Sequence, residues 1–224
     1  MLDKYFGFLK MQDENSVVDS LIEHCRIDEE ELNLLSKMVH HLMANEKDSV
    51  EEIYLKIKKI STDSSRIFEN TAEHIIQATF DHQKQYDLLR LYQRIENISR
   101  LILITAKHLL IFEQIDGNVP ESLKVCFTKI TKLVLDNHLQ FQTGLAQYRD
   151  NKKMVFKTIN KVEEIESIIE NHRTEGLQIL YTLANEGGIK VGSFKALENL
   201  INGLESISDA VQDGATSIEW LLLL

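Results

Sequence analysis

Apolar residues along this chain recur every three or four positions in six long stretches that are separated by short polar breaks. The first stretch has apolar side chains at Val18, Leu21, Ile22, Cys25, Leu32, Leu35, Met38, Val39 and Leu42. This spacing places them on one face of an α-helix. The pattern predicts six helices, over about 15–45, 49–79, 85–115, 120–148, 152–184 and 193 to near the end.

Helix-starting and helix-ending residues support these boundaries. Ser49-Val50-Glu51-Glu52 forms a capping box at the start of the second helix. In Asp116-Gly117-Asn118-Val119-Pro120, glycine ends one helix and proline suits the first turn of the next. Asn185-Glu186-Gly187-Gly188 is the predicted turn before the last helix, and Ser193 is its predicted N-cap.

Two segments about a hundred residues apart indicate an internal duplication. Ile95-Glu96-Asn97-Ile98-Ser99-Arg100 and Leu204-Glu205-Ser206-Ile207-Ser208-Asp209 match closely, and both lie in leucine-rich helical stretches. We therefore predict an all-α fold of two tandem three-helix bundles, six long antiparallel helices in all, with repeats at 1–117 and 118–224. Together the repeats make one domain.

The last predicted helix ends in an apolar run, Trp220 to Leu224. We interpret this run as packing against the other repeat. The alternative is a contact with another copy of the chain or with a membrane protein.

Composition narrows the class of protein. A single proline among 224 residues favours long helices over a β-fold with many turns. The net charge of −10 argues against a nucleic-acid partner, because binding phosphates requires clustered lysine and arginine.

The compartment is also constrained. Cys25 and Cys126 lack any Cys-x-x-Cys partner and fit a reducing cytoplasm. The segment Met1 to Lys10 has no long apolar region and is not expected to be a signal peptide. No apolar run approaches the roughly 20 residues that span a bilayer.

Acidic residues spaced by four are the candidate chemistry. Like charges at this spacing repel one another unless a cation lies between their oxygens, as hard cations prefer. The candidate metal ligands are Glu205, Asp209 and Asp213 on the sixth helix, Glu166 and Glu170 on the fifth, and Asp63 and Glu96 in the first repeat.

The alternative for these acids is a solvated helix face. In the first repeat Lys59 and Arg100 stand where a second acid would complete each pair. We expect Arg100 to neutralise Glu96 and the site to be lopsided. The acidic run Asp28-Glu29-Glu30-Glu31 is interpreted as a solvated part of the first helix.

Enzyme signatures are missing from the sequence. No glutamate is followed by histidine three residues later, as di-iron bundles require, and there is no His-Glu-x-x-His. A Gly-x-Ser-x-Gly motif and a glycine-rich phosphate loop are also lacking. We expect a protein that is not an enzyme; a carboxylate-bridged metalloenzyme is the less favoured alternative.

The chain resembles the PhoU-like accessory proteins associated with Pit-type inorganic phosphate permeases. The resemblance is carried by the two three-helix repeats, by Leu204 to Asp213, and by the acidic stretch Val162 to Glu170. It implies a non-enzymatic regulator of phosphate transport that binds a phosphate transporter or its signalling partner.

The resemblance further implies carboxylate sites for divalent or ferric ions on the bundle surface, and a homo-oligomer. The resemblance also implies that the protein is cytoplasmic and reaches the inner face of the membrane by binding a protein partner. A purely structural helical adaptor without metal is the alternative function.

Overall fold

A computed structural model describes residues 14–44, 46, 48–78, 80–115 and 117–223. The segment Met1 to Lys10, with its expected lack of a signal peptide, lies outside the described residues. The described part is all-helical and contains no strand. Its helices are α1 (Glu14–Ala44), α2 (Asp48–Gln77), α3 (His82–Ile115), α4 (Glu121–Ala146), α5 (Lys152–Asn185) and α6 (Val191–Leu223). The predicted all-α class and the six long helices are confirmed.

Four helices form the centre of the protein. Helix α1 packs against α3 and α4, and α6 packs against the same two helices. Helix α2 covers α1 and α3, while α5 covers α4 and α6. Among the described residues, α2 contacts no helix of the second repeat and α5 contacts none of the first. The predicted repeat boundary falls in the connection between α3 and α4.

Two glycines end helices with left-handed backbone conformations. Gly117, at φ +68°, follows α3, and its amide donates to the Phe112 carbonyl at 3.0 Å. After α5, Gly187 has φ +71° and the next amide, of Gly188, donates to the Leu183 carbonyl at 2.8 Å. A side chain at such φ values would be strained, so both positions favour glycine.

The start of α6 differs from the prediction. The helix begins at Val191, so Ser193 lies inside its first turn and is buried. Its expected role as N-cap is therefore wrong, because the N-cap position falls three residues earlier, at Lys190. The neighbouring glycines, Gly188 and Gly192, are poor helix formers, and the apolar spacing locates such a boundary only approximately.

The predicted apolar stripes face inward and make one continuous core. Its largest fully buried side chains include Tyr92 and Phe112 of α3 and Phe127 and Phe141 of α4. Each aromatic ring removes a large apolar area from water, which makes these positions major contributors to stability.

The apolar C-terminal run packs against the first repeat, as interpreted from the sequence. Leu221 and Leu222 are buried. The guanidinium carbon of Arg90, on α3, lies 4.4 Å from the centre of the Trp220 ring. This cation–π contact joins the partly exposed Trp220 ring to α3 of the first repeat. Leu224 lies outside the described residues.

None of the described helices combines the length and the apolar character needed to cross a membrane.

Close packing of α6 on α4 requires a glycine at position 214. A Cβ atom built there would lie 2.9 Å from Cζ of Phe141, a ring that is itself buried. We expect Gly214→Ala to lower the free energy of unfolding by about 1–2 kcal/mol, because overpacking outweighs the gain in helix propensity. Urea titration followed by circular dichroism measures this change.

Gly192→Ala is the matched control, because its Cβ would lie 3.6 Å from the nearest side-chain atom, an ordinary contact. This variant should be as stable as the natural protein or slightly more stable. Equal stability of both alanine variants would contradict the packing argument.

Candidate functional site

Four of the predicted metal ligands come together on one face of the second repeat. Glu166 and Glu170 lie one turn apart on α5, and Glu205 and Asp209 lie one turn apart on α6, which packs against α5. We call these four residues the acidic surface cluster. Glu166 and Glu205 are half-buried, whereas Glu170 and Asp209 are exposed.

Burial and mutual repulsion raise the pKa of three carboxyl groups in the acidic surface cluster, those of Glu166, Glu205 and Asp209. Desolvation is the largest cause that raises the pKa of Glu166, and Asp209 and Glu170 raise it further. Desolvation also leads for Glu205, with Asp209 raising its pKa and Arg173 lowering it. The pKa of Asp209 is raised in the same way, again against the effect of Arg173. A cation among these oxygens would relieve the repulsion.

Arg173 places a fixed positive charge at one side of the acidic surface cluster. Its Nε lies 3.8 Å from Oε2 of Glu205 and donates to Oδ1 of Asn202 at 2.9 Å. One guanidinium beside four carboxylates leaves the group with a negative balance. Carboxylate oxygens are ligands for hard divalent and ferric ions, so the donor set suits such an ion. Its oxygens would have to move closer together to share one.

The other predicted ligands lie elsewhere. Asp213 is exposed and forms an ion pair with Arg94 of α3. Asp63 is exposed on α2, where Arg66 lies 2.5 Å away. Neither residue belongs to the acidic surface cluster. Their metal-binding roles remain predictions, and both carboxylates already have a cationic partner.

The expected neutralisation of Glu96 by Arg100 does not occur. The Arg100 side chain donates to Oδ1 of Asn97, from Nη2 at 2.6 Å. Glu96 instead points toward α1 and α2, where Ser65 donates to its Oε1 at 2.7 Å and Nε2 of His24 lies 3.3 Å from its Oε2. The two repeats therefore use equivalent glutamates differently.

Glu96 borders a group of ionisable side chains inside the protein. We call His24, Asp28, Glu31, Glu96 and His138 the buried polar cluster. It lies where α1 meets α3 and α4. The side chains of His24, Asp28 and His138 are 0% exposed, and that of Glu96 is 19% exposed. Glu31 is also completely buried.

The interpretation of Asp28 to Glu31 as a solvated run is thus wrong at both ends. Glu29 and Glu30 do reach solvent, but Asp28 and Glu31 face the core. They occupy the apolar stripe of α1, since Asp28 follows Cys25 by three residues and Glu31 precedes Leu32. The helical period, and not the composition of the run, decides which acids are buried.

His24 is held by polar contacts on both ring nitrogens. Its Nδ1 lies 3.2 Å from the Tyr92 hydroxyl, and its Nε2 lies 2.8 Å from the Ser64 hydroxyl. The same Nε2 is 4.0 Å from Oδ1 of Asp28. These contacts fix the orientation of the ring among three helices.

Several atoms of the buried polar cluster have no hydrogen-bond partner among the described residues. They are both carboxylate oxygens of Asp28, both of Glu31, Oε2 of Glu96, and both ring nitrogens of His138. Nε2 of His138 is 3.7 Å from Oδ2 of Asp28, beyond hydrogen-bonding distance. Unpaired polar atoms in a protein interior are rare and cost free energy, so they call for an explanation.

Burial raises the pKa of both interior acids. Desolvation dominates for Asp28, and the nearby imidazoles of His138 and His24 partly oppose it. For Glu31, desolvation followed by the charge of Asp28 raises the pKa to about 9. The Ser99 hydroxyl lowers this value, although it forms no hydrogen bond of standard geometry with Glu31.

The second repeat contains a neutral counterpart of this arrangement. Asn137 and Ser208 are 71 residues apart, and Nδ2 of Asn137 donates to the Ser208 hydroxyl at 2.8 Å. Asp28 and Ser99 have the same sequence separation in the first repeat. An amide that donates a hydrogen bond in one repeat is therefore matched by an acid in the other.

The sequence contained a signal for the buried polar cluster. Asp28 interrupts the apolar series Leu21, Cys25, Leu32 and Leu35 at a core position, and His138 does so between Val134 and Phe141. A polar residue at a core position of a helix is informative. At Asp28 the signal is easily missed, because the glutamates that follow make the whole run look solvated.

Comparison with known proteins supports the architecture. No family model matches the chain. The UPF0111 protein PH0637 of Pyrococcus horikoshii is 25% identical over 215 residues, which is 90% of this chain and 91% of that protein.

Three solved structures that are similar to this chain are described as PhoU or PhoU-like. A PhoU-like protein from Shewanella oneidensis has a TM-score of 0.81 at 17% identity, covering 93% of this chain and 99% of its own. A putative PhoU-like phosphate regulatory protein from the same organism gives 0.79 at 17% identity, with the same coverage. PhoU from Pseudomonas aeruginosa gives 0.72 at 14% identity, covering 93% and 96%. The fold of this chain is that of PhoU-like proteins.

The raised pKa of Glu31 predicts a pH effect on stability. Because the folded protein holds this proton above the unfolded pKa, the natural protein should lose stability as pH rises between about 5 and 8. Glu31→Gln mimics the protonated acid. As pH rises over this range, we expect its free energy of unfolding to increase relative to that of the natural protein by up to about 1 kcal/mol per pH unit.

Urea titrations of both proteins at several pH values, with chelator present, measure this difference. Glu30→Gln, which changes an exposed acid one residue away, is the control. A difference between Glu31→Gln and the natural protein that is constant with pH would contradict the prediction.

Proposed function

We propose that this protein is a non-enzymatic regulator of inorganic phosphate transport. It acts in the cytoplasm by binding a phosphate permease or its signalling partner, as a homo-oligomer. The acidic surface cluster, on a fold shared with a putative PhoU-like phosphate regulatory protein over 93% of the chain, is the observation that supports this function most.

The acidic surface cluster would hold a divalent or ferric ion. Glu166 and Glu170 would bind from α5, and Glu205 and Asp209 from α6. Desolvation and repulsion raise the pKa of Glu166 and Asp209, and the positive charge of the ion would counteract both effects. Arg173 already supplies one positive charge beside Glu205, so the bound ion would have less negative charge to balance. The same guanidinium would help to orient Glu205.

The geometry favours binding over catalysis at this surface. Helices α5 and α6 pack side by side, so an ion held between them joins the flanking helix α5 to the central helix α6. The charge of this face then depends on metal occupancy. A regulator that reports through a protein partner requires such a change in charge or shape at an exposed surface.

Metal analysis tests the acidic surface cluster. Protein purified without chelator and without a histidine tag should contain metal that Glu205→Ala/Asp209→Ala lacks, because the double variant removes two of four oxygen ligands. Elemental analysis by mass spectrometry measures this. The control, Glu163→Ala/Glu164→Ala, removes two exposed acids of α5 outside the cluster and should retain the metal. Equal metal content in all three proteins would exclude the site.

Affinity capture tests the partner. The tagged protein should recover an inorganic phosphate permease from detergent-solubilised membranes of the source organism, and deletion of its gene should change the rate of phosphate uptake. If the permease is not enriched over an untagged control and uptake is unchanged, the protein is not this regulator. A metal-free structural adaptor would then be the better description.

A further inference from the structure

We infer that Cys25, Asp28 and His138 form an internal binding site for a borderline-soft divalent transition metal, of which zinc is the type. One donor atom from each residue lies within 4.8 Å of the other two, and all three residues are buried. Among the described residues, no other set of three thiol, imidazole or carboxylate donors meets this distance.

The spacing is close to that of a metal centre. In tetrahedral zinc sites with bonds of about 2.0–2.3 Å, neighbouring ligand atoms are about 3.3–3.8 Å apart. Nε2 of His138 and Oδ2 of Asp28 are 3.7 Å apart, within that range. Cys25 precedes Asp28 by three residues, so both face the same side of α1. The donor atoms, which lie within 4.8 Å of one another, would have to move closer together to bind one ion.

The unpartnered atoms supply a second and independent argument. Both oxygens of Asp28 and both nitrogens of His138 are completely buried without a hydrogen-bond partner among the described residues. In a core that satisfies most other polar groups, two such residues facing each other at 3.7 Å point to a ligand that interacts with both. A cation does so, because it accepts lone pairs from a carboxylate and an imidazole together.

The donor set selects the class of metal. Thiolate and imidazole are poor ligands for magnesium and calcium, which prefer oxygen alone. A mixed sulfur, nitrogen and oxygen set suits Zn²⁺, and Co²⁺ is its spectroscopic substitute. Binding displaces the thiol and carboxyl protons to solvent. The acidic surface cluster, with oxygen donors only, would select different ions.

Two neighbours support the site. His24, held by Tyr92 and Ser64, places its Nε2 4.0 Å from Oδ1 of Asp28, at the edge of the site. Glu31 lies one turn beyond Asp28 on α1 with both oxygens unpartnered, which makes it a candidate for a fourth coordination position.

The site joins the two repeats. Cys25 and Asp28 come from α1, and His138 comes from α4 of the second repeat. Because all three ligands are buried, the metal would be acquired during folding or through a transient opening between α1 and α4. Metal bound only by the folded state raises the unfolding midpoint.

Refolding in the presence of metal tests the inference. Untagged protein unfolded in chelator and refolded with Zn²⁺, then freed of excess metal by gel filtration, should retain about one ion per chain in this site. Refolding with Co²⁺ should give a thiolate-to-cobalt absorption band. The Cys25→Ala variant should lose the band, and Asp28→Asn should lose at least tenfold in metal affinity.

Cys126→Ala is the matched control, since Cys126 is also a buried free thiol but donates to the His172 carbonyl at 3.3 Å and belongs to no donor group. It should keep both the metal and the band. Glu205→Ala/Asp209→Ala should also keep them, which separates this site from the acidic surface cluster.

Three outcomes would overturn the inference, and the first two use the natural protein alone. The natural protein refolded with Co²⁺ would show no thiolate band, or Zn²⁺ would leave its thermal midpoint unchanged. A band of full strength in a folded Cys25→Ala protein, checked by circular dichroism, would do the same. The buried acids would then be simply protonated.

Discussion

The apolar faces of α1, α3, α4 and α6 bury one another, and the positions of both candidate sites follow from that contact. Each three-helix repeat alone would leave the outer sides of two of these helices in water. Joining the repeats covers them, and places α2 and α5 at opposite flanks. The acidic surface cluster then lies where α5 meets the centre, and the buried polar cluster lies within it.

The same contact explains the different behaviour of the acids. Glu166, Glu205 and Asp209 are desolvated only in part. Water therefore screens part of the repulsion among their charges, and an ion can approach them from outside. Asp28 and Glu31 have no such access, and their charge must be compensated by protons or by an internal cation. Burial therefore separates residues of one chemical type into two kinds of site.

Much of the fold could be predicted from the apolar period, because long helices with regular stripes have few alternative arrangements. Gly117 and Gly187 also marked their boundaries correctly. The acids on α5 and α6 can be predicted as neighbours because each pair is spaced by four residues on one helix. The expected pairing of Glu96 with Arg100 is wrong because Glu96 has partners on two other helices, which a motif along one helix does not record. The expected exposure of Glu31 is wrong because its position in the helical period outweighs the acidic composition of the run.

The duplication gave the protein two copies of one helical plan, and the copies have since acquired different polar centres. Where Asn137 donates to Ser208 in the second repeat, the first has Asp28 beside His138. An exchange of an amide for an acid is a small chemical change within the same three-helix plan. It leaves the protein with one group of acids inside, around α1, and another outside, on α5 and α6.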